Sequence, residues 1–178
     1  HERLAVVDPI SGNQPLLNNK KNLILSVNGE IYNHQVLKSN HCRDYDFKTK
    51  SDCEIILALY EKYDIDFIDM LNGIFAFALF DKEKNQFLIA RDHIGIITFY
   101  TGYNENGTFF VASELKALED YCNEINIFPP GHYMSSKDKK PIKWYKRKWS
   151  SFSGTNKSNI KKNELKESLE NAVHRQLM

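Results

Sequence analysis

The 178-residue chain is 42% apolar and 12% aromatic, enough to build a core, which excludes a wholly disordered chain. Its 24 basic and 23 acidic residues leave a net charge of +1, so bulk charge nominates neither a nucleic acid nor a membrane as partner. The longest apolar run, Ile74 to Phe80, is about seven residues, far short of the roughly 20 that a membrane helix needs.

In chain order, Arg3 precedes the apolar run Leu4 to Val7, and Leu23 to Val27 forms a second β-type run. Asn28-Gly29-Glu30 follows directly. Asn-Gly is a strong hairpin signal, because both residues tolerate positive φ. The same pair can serve as an oxyanion hole, in which a carboxamide N–H and the next backbone N–H face a developing negative oxygen. On spacing alone both readings stand, with the hairpin ahead. Ser51-Asp52-Cys53-Glu54 has the form of a capping box, and Ile55, Ile56, Leu59, Tyr60 and Tyr63 behind it share one helical face. Asp52 is then either an acid in the first turn of a helix or a partner for an ammonium group.

Ile74 to Phe80 alternates large and small residues, as a strand packed on both faces does. Gln86 to Ala90, Ile96 to Gly102 and Thr108 to Ala112 follow at short spacing, with turn composition over 81–85 and 104–107. These runs predict a meander of antiparallel strands, and with the helices an α+β fold.

The charge is uneven. Residues 1–136 carry a net −7, and residues 137–162 carry +9. In the basic stretch Lys137, Lys139, Lys140, Lys143, Lys146, Arg147 and Lys148 surround Trp144, Tyr145 and Trp149. Such interleaving can track a phosphate backbone. The acidic body argues instead for a connector whose aromatic residues pack on the domain. Leu165, Leu169, Ala172, Val173 and Leu177 then predict a helix from about Asn163. The predicted organisation is a compact domain over 1–134, a basic connector over 135–162 and a helix over 163–178.

Three cysteines without C-x-x-C spacing argue against a disulfide framework and for a reducing, cytoplasmic setting. The six histidines show no zinc spacing, so no metal site is expected. Neither a Walker loop nor a dinucleotide-binding glycine motif occurs, so no cofactor is expected on such loops.

Seven short words occur in order: HERLAVVDP with QPL, NGEIYNH, SDCEIILALYEKY, GIFAFALFD, RDHIGI, ASELKAL and FPPGHY. Together they closely resemble the glutaminase domain of the glutamine-hydrolysing asparagine synthetases, class II glutamine amidotransferases. The resemblance implies a four-layer αββα N-terminal-nucleophile hydrolase fold with two facing antiparallel sheets. It implies that Arg3 grips the glutamine α-carboxylate and that Leu4, Ala5, Val6 and Val7 line the pocket. It assigns Asn28 and Gly29 to the oxyanion hole, Glu30 to the pocket border and Asp52 to the substrate α-amino group. The nucleophile of the family is an N-terminal cysteine whose own amine is the base. It lies upstream of His1, so the chain as given is expected to hydrolyse no glutamine. The parent is expected to pass ammonia through a channel to its C-terminal synthetase domain, where ATP and Mg serve the conversion of aspartyl-adenylate to asparagine. Residues 163–178 would begin that domain, and a homodimer is one assembly open to the parent. The rival expectation is a non-catalytic glutamine-binding or scaffold domain. Lys50, and Thr98 with Phe99, depart from the common family pattern of Gly and Pro-Leu.

Overall fold

The structure, a computed structural model, describes residues 7–147 and 161–177. Contacts divide the chain into two units, 1–144 and 145–178.

In the first unit, strands β1 (Leu16–Leu17), β2 (Leu23–Ile31), β3 (Gly73–Asp81) and β4 (Gln86–Arg91) come first. Helices α1 (His34–His41) and α2 (Ile55–Tyr63) lie between β2 and β3. Then follow β5 (Tyr100–Tyr103), β6 (Phe109–Ala112), α3 (Lys116–Glu119), β7 (Glu124–Ile127), β8 (His132–Ser135) and β9 (Ile142–Lys143). One sheet has the order β1-β2-β3-β4-β8-β9 and the other β6-β5-β7. Every pairing is antiparallel. The chain leaves the larger sheet after Arg91, builds the smaller one, and returns at His132.

The large–small alternation of β3 has a structural reason. Phe75, Phe77 and Leu79 enter the main core with Leu25, Val27, Ile56 and Leu59. Ala76 faces the other way, into a second cluster with Ile89, Phe99, Phe128 and Met134. Phe87 and Phe109 stack across the two sheets at 5.0 Å between ring centroids. Large side chains therefore fill the space under the helices, and an alanine on β3 allows the sheets to approach. Fully burying one such side chain contributes about 1.5–3 kcal/mol. The predicted α+β class, with two facing antiparallel sheets, is what the structure has.

Three local expectations change. Helix α2 was expected to bury one face, but Ile55 through Tyr60 are all buried, because α1 and the 3-10 turn Asp64–Met70 pack beside it. The capping box is half formed. Ser51 accepts the Cys53 N–H, whereas Glu54 turns to the preceding loop and accepts from Lys48 N and Thr49 N at 2.8 and 2.7 Å. The strand expected over 96–102 begins only at Tyr100. Upstream of it, the Asp92 carboxylate takes the N–H groups of Ile94, Gly95 and Ile96 into a turn, at 3.0, 2.6 and 3.3 Å.

Trp144 closes the first unit. Its ring stacks on Phe75 with centroids 6.2 Å apart, and its Nε1–H donates to Arg91 O at 3.2 Å. In the second unit, Arg147 lies over the Tyr145 ring. Lys148 and Trp149 lie outside the described residues. Helix α4 (Lys162–Gln176) exposes Leu165, Leu169 and Val173. Among the described residues no helix is long and apolar enough to cross a membrane.

Candidate functional site

Asn28, Gly29 and Glu30 are not a hairpin turn. They sit inside β2, which runs on to Ile31, and they pair with Ala76, Phe75 and Ile74 of β3. The glycine is required twice over. Gly29 has φ +137°, and a Cβ there would lie 2.0 Å from Ile74 O. The sequence pattern that reads as a turn thus marks a point of close strand approach.

On its other side β2 is an edge met by a succession of different groups. Leu16 of β1 pairs with Leu25. One register step before that pair, Asn18 Oδ1 accepts the Leu23 N–H at 3.0 Å. One step after it, the Gln14 carboxamide accepts the Val27 N–H and donates to Val27 O, both at 2.7 Å. Beyond lie Gly29, whose C=O accepts the Cys53 thiol at 3.5 Å, and Ile31, whose N–H donates to Asp52 Oδ2 at 2.6 Å. Antiparallel alternation sends the Gly29 N–H to this same edge.

Asp52 opens a 3-10 turn (Asp52–Glu54) and is 4% exposed. Glu30 lies close enough that burial, and secondarily the Asp52 charge, hold its carboxyl above the usual range. Burial, with the Asp52 charge second, also raises the Cys53 thiol well above its ordinary value, so that thiol is no nucleophile. Among the described residues neither Glu30 nor Asp52 is in an ion pair. Two carboxylates, one buried and neither in an ion pair among those residues, stand close together here.

Of the other predicted site residues, Arg3, Leu4, Ala5 and Val6 lie outside the described residues, and Val7 is half-buried. The next residue ties that segment to the site. Asp8 accepts the Lys50 N–H at 2.8 Å, two residues before Asp52, and the N–H and hydroxyl of Ser11. The Ser11 hydroxyl first, then backbone N–H groups, lower the Asp8 carboxyl to about 2.

A cavity of about 190 Å³ opens on Asp52 between α1 and the 47–51 loop, lined by His34, Lys38, Thr49 and Lys50. Asn28, Gly29 and Glu30 do not line it. Among the described residues no three His, Cys, Asp or Glu side chains converge as a metal needs, and Cys42, Cys53 and Cys122 are free.

Sequence reasoning singled out neither Gln14 nor Asp92. Asp92 accepts the Phe75 N–H at 3.3 Å and its own N–H donates to Phe75 O at 2.7 Å, fixing the residue opposite Gly29. Both positions carried a signal, in the QPL and RDHIGI words, but a word does not say which backbone it holds.

A family model described as a glutamine amidotransferase domain matches residues 1–141. Asparagine synthetase B [glutamine-hydrolyzing] of Escherichia coli K12 is 49% identical over 178 residues, covering 100% of this chain and 32% of that protein. Asparagine synthetase [glutamine-hydrolyzing] 1 of Arabidopsis thaliana is 48% identical over 149 residues, covering 84% and 25%. The chain thus spans a quarter to a third of the length of these relatives. Two solved structures share the fold. The allosteric regulatory enzyme of purine biosynthesis matches with TM-score 0.65 and 23% identity, over 75% of this chain and 31% of that one. The glutamine phosphoribosylpyrophosphate amidotransferase of B. subtilis matches with TM-score 0.61 and 24% identity, over 72% and 30%.

Proposed function

The chain belongs to the glutamine amidotransferase domain family, and from that premise we propose that it is the glutaminase domain of a glutamine-dependent asparagine synthetase. The observation that carries this reading is the buried Asp52 carboxylate, in no ion pair among the described residues and bonded to Ile31, close to Glu30 and Asn28-Gly29 of β2. Glutamine fits it. The free end of that substrate is a zwitterion, so its receptor needs a fixed anion and a fixed cation. In this reading Asp52 takes the α-ammonium group, and Arg3 takes the α-carboxylate through a guanidinium fork.

The amide end then meets β2. A cysteine thiol upstream of His1 attacks the side-chain amide carbon, with its own α-amine as base. The carbonyl oxygen becomes an oxyanion that accepts from the Asn28 carboxamide and the Gly29 N–H. Collapse breaks the C–N bond and releases ammonia as the α-ammonium returns the proton. Water then cleaves the thioester to glutamate.

The remaining assignments belong to the same proposal. Residues 1–134 form the glutaminase domain, 135–162 a connector, and 163–178 the start of the synthetase portion. Ammonia reaches that portion through a channel, and ATP and magnesium act there. The parent resides in the cytoplasm.

The test is glutamate release from glutamine by the full-length protein, with its mature N-terminal residue read by intact mass. A terminal cysteine with stoichiometric glutamate and ammonia is the expected result. Another residue, with glutamine binding but no glutamate, would leave a binding domain.

A further inference from the structure

We propose that Gln14 is a positioning residue for the oxyanion pair, a side-chain strut that pins β2 at Val27 and ends the ladder one step short of Gly29. The inference rests on the glutaminase reading above.

The geometry is that of a peptide group supplied by a side chain. Leu16 and Leu25 face each other across β1 and β2, and Leu17 faces Ile24. The same register puts residue 14 opposite Val27. Strand β1 begins only at Leu16, so the main chain of residue 14 does not take that place. The Gln14 carboxamide takes over, with one acceptor and one donor, each 2.7 Å from its partner on Val27. Val27 is 3% exposed, so water is poorly placed to replace either bond. Losing the amide would leave a buried N–H and a buried C=O unpaired.

Ending the ladder matters as much as pinning it. A main-chain strand continued in this register would bring residue 12 opposite Gly29 and cover the N–H that the oxyanion needs. A side-chain amide holds the strand up to Val27 and leaves the next edge position open. Asn28 follows Val27 directly, so its carboxamide is carried on a backbone fixed by Gln14 on one side and β3 on the other. Oxyanion donors act only within a few tenths of an ångström of their place. At the far end of β1 the Asn18 carboxamide supplies only the acceptor half, taking the Leu23 N–H while its own N–H groups go to Asn22 and Glu61.

The test uses the full-length protein with Gln14→Met, which keeps the chain length and loses the amide. The expected result is a fall in glutaminase kcat of tenfold or more, the scale of a small misplacement. KM for glutamine should change less than about threefold, since Asp52 and Arg3 hold the other end. Ammonia-driven asparagine synthesis should stay within about twofold. Gln14→Glu adds a signature that general loosening does not give. Ionised, it offers two acceptors to Val27 O and Val27 N–H; protonated, it offers one donor and one acceptor, as the amide does. Its kcat relative to the unaltered protein should therefore rise as pH falls from 8 to 5, a ratio that cancels every titration the two proteins share, that of Glu30 included. Ile89→Val, in the second core cluster, is the control for lost stability.

Three results would overturn the inference: a Gln14→Met kcat within twofold of normal, an equal kcat loss in Ile89→Val at matched melting temperature, or a flat Gln14→Glu ratio. If Gln14→Met does not fold, the Gln14→Glu ratio decides. If the unaltered protein releases no glutamate, the glutaminase reading falls and this inference with it. An active unaltered protein with normal variants removes the inference alone.

Discussion

The two halves of β2 are one strand under two regimes. From Leu23 to Val27 the strand is flanked by β3 and, on its other edge, by β1 and two side-chain amides, and it buries Leu23, Leu25 and Val27. From Asn28 to Ile31 the second neighbour is gone, and a thiol, a buried carboxylate and an open edge take its place. The first half turns burial into stability. The second, held by that rigidity, leaves polar groups at an open edge, where the proposed glutamine site lies. A strand can be anchored at one end and chemically available at the other, provided something stops the ladder between them.

The contrast is broken most severely at the boundary itself. Gly29→Ala should destabilise the domain by about 3 kcal/mol or more, since overpacking and positive φ add. Urea unfolding followed by far-UV circular dichroism would measure it, and a loss under 1 kcal/mol would mean that β2 and β3 separate easily. Leu25→Ala, in the structural half, should cost about 2–5 kcal/mol as a core truncation. In the folded fraction, glutamine affinity by calorimetry should be unchanged, and weakened affinity would mean that the halves are not separable.

Changes in the second half should show the reverse pattern. Asn28→Ala should lower glutamine hydrolysis by the full-length protein by roughly 10²–10³, as removal of one oxyanion donor does. Its melting temperature and its ammonia-driven synthesis should stay near normal; if both activities fall together, Asn28 is structural. Asp52→Asn keeps an acceptor for the Ile31 N–H and removes the charge. Glutamine should then bind more weakly by about 1.5–3 kcal/mol, and equal affinity would take Asp52 out of the site.

The smallest effect is expected at Glu30. Its carboxyl is raised in the folded state above the ordinary value of 4.5, so the folded protein binds the proton more tightly than the unfolded one. The associated stability is fully present below the ordinary value and is lost as pH rises through the raised one. Glu30→Gln should therefore melt slightly higher than the parent at pH 7 and equal it near pH 4. A parent more stable than the variant at pH 7 would reveal a cation paired with Glu30.

Most of this scaffold was legible in the sequence, and the exceptions share a cause. Ile74 to Phe80 announced a two-faced strand because alternation is local. Asp52 was visible as either a helix acid or an ammonium partner; it does open a turn, while its bond to the Ile31 N–H on a distant strand was in neither description. The hairpin reading of Asn28-Gly29 failed because glycine was required by Ile74, a residue 45 positions away in the chain. The Glu54 half of the capping box was lost likewise, when that carboxylate found Lys48 and Thr49. Gln14 was unreadable for the same reason, since nothing nearby says that its amide will stand in for a peptide. Local rules predict elements, and the site is made where distant segments complete one another.

Trp144 gives this geometry an optical reporter. Its indole stacks on Phe75, which pairs with Gly29, and its Nε1–H is fixed on Arg91 O. With Trp149→Phe this chain holds a single indole, two residues removed from Gly29. A shift of β3 against β2 on loading glutamine would change that stacking, and with it the emission of Trp144. Occupancy of the site could then be followed by fluorescence alone, without a label and without turnover.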